Sequence, residues 1–198
     1  MPYYDAIFKV ALAGNSAVGK TALIDQFTDQ VFKGEHLMTL GIDYKVKLFK
    51  NNDQMVKIQI WDSSGDDRYQ CVTNLCYRKV DAIIYVFSFD NYDSFRRLTE
   101  LKSGVNYINP NPIEILVGNK SDVDYKEVSQ SEIQQLLSKP EWMDVKYIEC
   151  SAKNNVGVTR IFQEIAHQFR IKSLARSDAN ETESQDQHVD RSCCSCWG

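Results

Sequence analysis

Between residues 14 and 21 the chain reads Gly14-Asn15-Ser16-Ala17-Val18-Gly19-Lys20-Thr21, a G-x-x-x-x-G-K-T run. Before it, Ile7 to Leu12 is a strand-like apolar stretch; after it, Thr21 to Gln30 carries Leu23, Ile24 and Phe27 on one helical face. A loop that passes from strand into helix aims several backbone N–H groups at one point, where the helix dipole also favours negative charge. Gly14 and Gly19 let the backbone close around an anion. Lys20 would reach the β- and γ-phosphates of a nucleotide, and the Thr21 hydroxyl would bind Mg²⁺.

Further strand-like runs follow at Tyr44–Phe49, Val56–Trp61, Ala82–Phe87, Ile113–Val117 and Val145–Ile148. Helical periodicity marks Asp93–Tyr107, Ser129–Ser138 and Val158–Leu174, with Ser129 and Glu132 placed as a capping box. Strands alternating with helices predict crossover units, hence a mostly parallel sheet covered on both faces. Tyr44–Phe49 and Val56–Trp61 are the exception, since the short turn Lys50-Asn51-Asn52-Asp53 makes them an antiparallel hairpin. The expected architecture is α/β, six strands with one antiparallel, flanked by about five helices.

With 198 residues, 43 % apolar and 25 % charged, the chain suits one soluble domain plus a tail. A net charge of −4 argues against a nucleic-acid partner bound through its phosphates. The opening Met1-Pro2-Tyr3-Tyr4-Asp5 lacks the pattern of a secretory signal, and no apolar run approaches membrane-spanning length. The domain is expected over residues 1–172 and in the cytosol. Residues 173–198 carry five acids against two arginines and read as a disordered acidic tether. Cys71, Cys76 and Cys150 read as buried or unreactive thiols, whereas Cys193, Cys194 and Cys196 crowd the end. Those three with His188 could be imagined as a zinc site, but no second cluster supports it; His36 and His167 show no metal spacing either.

Two more motifs narrow the chemistry. Asn119-Lys120-Ser121-Asp122 follows the run Ile113–Val117, at the carboxyl end of a strand where open α/β sheets bind ligands. Asp122 can accept from guanine N1–H and the 2-amino group; adenine offers neither and would strand the carboxylate. That conflicts with a kinase or ATPase. The Lys120 stem can cover the purine face, Asn119 can tie the loops together, and Ala152 in Ser151-Ala152-Lys153 is placed to donate its N–H to guanine O6. Trp61-Asp62-Ser63-Ser64-Gly65 supplies a D-x-x-G. Asp62 could hold Mg²⁺ through a water, Gly65 N–H could bond the γ-phosphate, and Thr39 could contact the metal; loss of that phosphate would release both segments.

Together these motifs resemble the small GTPases of the Ras superfamily over residues 5 to about 172, and the Rab branch in particular. Thr39-Leu40-Gly41-Ile42-Asp43-Tyr44 is similar to T-I-G-I-D-F, and Lys57-Ile58-Gln59-Ile60-Trp61-Asp62 to K-L-Q-I-W-D. Cys76-Tyr77-Arg78-Lys79-Val80 and Tyr85-Val86-Phe87-Ser88 depart from that branch's Y-Y-R-G-A and L-V-Y-D. The resemblance implies a P-loop NTPase G domain that binds GTP or GDP with Mg²⁺, Phe32 as the aromatic edge against guanine, and catalysis by Lys20, Thr39 and residue 66. It implies effector, exchange-factor, activating and escort or GDI-type partners for a monomer. Asp66 stands where the family's W-D-T-A-G-Q-E-R-F has glutamine, so slow intrinsic hydrolysis is expected, with a GTP-bound scaffold as the rival outcome. Ser192-Cys193-Cys194-Ser195-Cys196 resembles the cysteine ends on which Rab proteins receive geranylgeranyl chains, although Trp197 and Gly198 follow. That implies lipidation at some of Cys193, Cys194 and Cys196, on the cytoplasmic face of an intracellular membrane.

Overall fold

The computed structural model describes residues 3–34, 39, 41–51 and 53–189. Its elements are β1 (Ala6–Ala13), α1 (Lys20–Asp29), β2 (Ile42–Asn51), β3 (Gln54–Ser63), α2 (Gln70–Tyr77) and β4 (Ala82–Ser88). They continue with α3 (Tyr92–Arg96), α4 (Leu98–Ile108), β5 (Ile113–Asn119), α5 (Gln130–Leu137), β6 (Lys146–Glu149) and α6 (Val158–Val189). The strands form one sheet in the order β2-β3-β1-β4-β5-β6. β2 runs antiparallel to β3 and every other pairing is parallel, as the hairpin and the crossovers require.

Alternation along the central strands sends apolar groups to both faces. Phe8, Val10 and Leu12 of β1 join Ile84 and Val86 of β4 beneath α1 and α6, around Leu23, Phe27, Ile161 and Phe162. Ala11, Ala13, Ile83, Tyr85 and Phe87 face the other way, onto Leu98, Val105, Ile133 and Trp142. All seven residues of β4 are buried, the signature of a central parallel strand. α5 starts on the expected capping box: Ser129 accepts from the Glu132 backbone and the Glu132 side chain accepts from the Ser129 backbone.

Three details differ from the sequence expectation. The helix read over Asp93–Tyr107 is two helices, α3 and α4, joined at Arg97, whose φ −77° and ψ −6° interrupt the turn. α2 has no strong sequence signal, because Val72 and Leu75 point outward while Thr73 and Tyr77 face the core. α6 does not end near residue 172; helical backbone continues through the start of the expected disordered tether to Val189. No glycine or proline lies between 158 and 189 to stop it. Cys193, Cys194 and Cys196 lie outside the described residues. Among the described residues no helix is long and apolar enough to cross a membrane. Of the thiols in the body, Cys150 is buried, Cys76 half-buried and Cys71 exposed, so burial does not extend to Cys71.

Candidate functional site

The run 14–21 leaves the end of β1 and turns into α1 at Lys20. Its two glycines answer to specific neighbours. A Cβ at Gly14 would fall 2.3 Å from the Val86 carbonyl oxygen, and one at Gly19, which has φ +92°, would fall 2.4 Å from Asn119 Nδ2. Lys20 folds back over the loop and donates to the carbonyl oxygens of Gly14 at 2.8 Å and Asn15 at 2.9 Å. Burial strips water from this ammonium and lowers its pKa to about 8 despite the attraction of Asp62. Ser16, Ala17, Gly19, Lys20 and Thr21 line a cavity of about 40 Å³ with Thr39, Ser63, Ser64 and Gly65.

Three hard oxygen donors meet at its edge. Thr21 Oγ1 donates to Asp62 Oδ2 at 2.6 Å and lies 2.9 Å from Thr39 Oγ1. Asp62 is buried, and its Oδ1 has no hydrogen-bond partner among the described residues. Burial raises its pKa, opposed by the Thr21 hydrogen bond and the charge of Lys20. One carboxylate and two hydroxyls suit a small, hard cation that takes its remaining ligands from phosphate and water. Gly65 presses its backbone against the loop: a Cβ there would lie 2.3 Å from Asn15 C and Ser16 N.

The purine-side residues gather from the ends of β5 and β6. Asn119 binds three segments together, donating through Nδ2 to the Val18 carbonyl at 2.8 Å and accepting at Oδ1 from the Ala152 N–H at 3.1 Å. The Ala152 N–H, expected from the sequence to face guanine O6, donates in this structure to Asn119. Cys150 is the buried neighbour, its thiol 3.6 Å from the same Oδ1 and pushed up by burial. Asp122 receives the Ser151 hydroxyl at 2.5 Å and faces Lys153 Nζ at 3.9 Å. Lys120, at φ +60°, sends its ammonium to Asp90 at 3.0 and 3.2 Å. Asp90 in turn takes the Ser88 hydroxyl. Although burial alone would raise its carboxyl, the Ser88 and Lys120 contacts lower it. Asp90 was missed in the sequence, because nothing local links it to a lysine thirty residues on. Phe32 is exposed in the segment after α1.

Asp66 is not a free carboxylate. Arg68 Nε lies 3.1 and 3.0 Å from its two oxygens, Arg68 Nη2 lies 2.6 Å from Oδ2, and the Arg68 backbone N–H donates to Oδ1 at 2.9 Å. The Arg68 side chain and backbone hydrogen bonds hold the Asp66 pKa at about 2. Asp66 therefore sits at the head of the 3₁₀ turn Asp67–Tyr69, whose last N–H returns to the Asp66 carbonyl at 3.0 Å. The Asp66-x-Arg68 spacing before a helical turn was the available signal for this pairing.

A nucleotide-phosphate loop, hard oxygen donors beside it and a carboxylate at the purine end define a P-loop nucleotide-binding protein. The Ras family profile matches residues 9–171. Ras-related protein Rab-30 of Homo sapiens is 37 % identical over 180 residues, covering 90 % of this chain and 86 % of the relative. Ras-related protein Rab-15 of Homo sapiens is 32 % identical over 209 aligned positions, covering 98 % of each. Ras-related protein RABD1 of Arabidopsis thaliana is 31 % identical over 180 residues. The chain belongs to the Ras family, as a Rab-like GTPase that binds guanine nucleotide.

Proposed function

We propose that the protein is a membrane-trafficking switch that alternates between GTP- and GDP-bound forms. The observation that carries this is the convergence at one end of the sheet: Asp122, held by Ser151 and Lys153, is joined through Asn119 to the loop that Lys20 closes. Gly14, Asn15, Ser16, Ala17, Val18 and Gly19 cradle the phosphates, and Lys20 carries charge to them. Asp122 selects guanine while Lys120 covers the base. Thr21, Thr39 and Asp62 hold Mg²⁺, which when bound offsets phosphate charge. Thr39 and Gly65 sit on the two segments that meet the loop, so losing the γ-phosphate frees both. GTP hydrolysis depends on Lys20, Thr39 and an attacking water that Asp66 orients poorly, which makes the intrinsic rate low.

The tail completes the switch by carrying prenyl groups on two of Cys193, Cys194 and Cys196. Its acids repel anionic lipid, so attachment rests on the lipids rather than on charge. Effectors, exchange factors, activating proteins and a GDI-type escort are the partners of a monomer on the cytoplasmic face of an intracellular membrane.

Competition of labelled GTP by unlabelled nucleotides tests the reading. GDP should displace the label and ATP should fail at a hundredfold excess, well inside the roughly 10⁴-fold discrimination expected when a hydrogen-bonding site meets the wrong base; equal displacement by ATP would sink it. A second reading, a GTP-locked scaffold, is favoured by the commitment of Asp66 to Arg68. Phosphate release that stays at background even with an activating protein would select it.

A further inference from the structure

The turn that follows β4 is fastened to the loop that follows β5. The Phe89 N–H donates to the Asn119 carbonyl at 3.0 Å, and the Glu127 N–H donates to the Phe89 carbonyl at 2.8 Å. Within the turn the Asn91 N–H returns to the Ser88 carbonyl at 3.1 Å, and Asn91 caps α3 by accepting from the Ser94 N–H at 3.0 Å. Ser88 is fully buried and its hydroxyl donates to Asp90. The Asp90 carboxylate is therefore anchored beside the loop that carries Asn119 and Asp122. Lys120 meets it from that loop, its Nζ 3.0 and 3.2 Å from the two oxygens. The lysine backbone has φ +60°, which residues with a side chain rarely adopt and which persists where neighbours fix it. The Lys120 and Asp90 side chains keep 34 % and 39 % of their surface exposed, so screening limits what their attraction adds to stability. What the contact fixes is direction. The rotatable bonds of the lysine stem lose their freedom in folding rather than when a base arrives.

We infer that Asp90 is a positioning residue that holds the Lys120 stem extended, so that its methylenes lie across the purine face and lengthen the stay of a guanine nucleotide. This rests on the reading in which Lys120 covers the base. It goes further by placing control of nucleotide release on an acid 30 residues before that lysine, itself anchored by a buried serine. The phosphates take no part, so the effect falls equally on GDP and GTP.

The test uses the full chain with Mg²⁺, loaded with fluorescent GDP or a non-hydrolysable fluorescent GTP analogue, and reads release into excess unlabelled nucleotide. Asp90→Asn keeps the size of the side chain and removes its charge; it speeds release of both about threefold, the scale of a part-exposed ion pair. Ser88→Ala, which takes away the anchor of the carboxylate, speeds both by a smaller factor. Lys120→Met keeps an apolar stem without the ammonium. Release from it is faster than from wild type, and adding Asp90→Asn changes it no further. Unchanged or slower release from Asp90→Asn, an effect confined to one nucleotide, or a full further gain on Lys120→Met overturns the inference. Release unchanged in Lys120→Met overturns the base-covering role beneath it, and the inference with it. A wild type that binds neither analogue would instead overturn the nucleotide-switch reading itself.

Discussion

A carboxylate at position 66 accepts hydrogen bonds and cannot donate one, whereas a glutamine amide does both and carries no charge. The surroundings tighten that limit. Both Asp66 oxygens already accept from Arg68, so little acceptor capacity is left for an attacking water. The depressed pKa of about 2 means the group is ionised above that pH, and its contribution to stability is lost only as pH falls through that value. Across neutral pH, hydrolysis should therefore show no inflection from Asp66. Asp66→Gln should raise the single-turnover GTP hydrolysis rate by roughly tenfold or more, since phosphoryl transfer is governed by positioning and charge. Equal rates in the two proteins would mean that residue 66 plays no part in the step.

Between elements, the unusual contact is a charge pair inside the face of the sheet that α4 covers. Lys102 of α4 has 3 % of its side-chain surface exposed and pairs with Glu114 of β5. Its ammonium lies 5.4 Å from the Tyr85 ring centroid and 5.1 Å from that of Trp142. Tyr85 donates to the other Glu114 oxygen at 2.9 Å, and burial first, then the Glu114 charge, pushes the phenol up. Thus α4, β4, β5 and Trp142 share one buried polar knot. Desolvation makes such a pair a poor source of net stability but an expensive one to break. Glu114→Leu alone should cost about 3–5 kcal/mol in urea denaturation, because it strands Lys102. The double change Lys102→Met with Glu114→Leu should return to within about 1 kcal/mol of wild type. If Glu114→Leu alone is harmless, the ammonium reaches water and the knot is not a buried unit. Periodicity does not disclose it: position 102 falls in an otherwise helical stretch, and its partner is on a strand.

At the scale of the whole molecule, the parallel strands β3, β1, β4, β5 and β6, with β2 antiparallel at the edge, present the site at one end of the sheet. Local chemistry made much of this legible. The glycine loop, the D-x-x-G and the N-K-x-D each declare themselves within eight residues or fewer, and the apolar runs place every strand. Contacts across long separations were not legible in the same way. Asn119 to Val18 spans 101 residues and Lys120 to Asp90 spans 30. The extent of α6 is not set by composition: helical backbone runs on to Val189 through an acidic stretch that holds neither glycine nor proline. Asn119 fastens the loop after β1 to the loop after β6, so the two halves of the site are tied to one side chain. Nucleotide that binds the folded chain alone should add stability by mass action, about 4 kcal/mol at a thousandfold excess over its dissociation constant. For a chain of this size that corresponds to a rise of roughly 10 °C in Tm. Protein stripped with EDTA and then given GDP and Mg²⁺ should show that rise, while ATP and Mg²⁺ at the same concentration should show none. A shift of similar size with ATP would mean that the phosphate loop binds without consulting Asp122, and that the two ends of the site are not coupled.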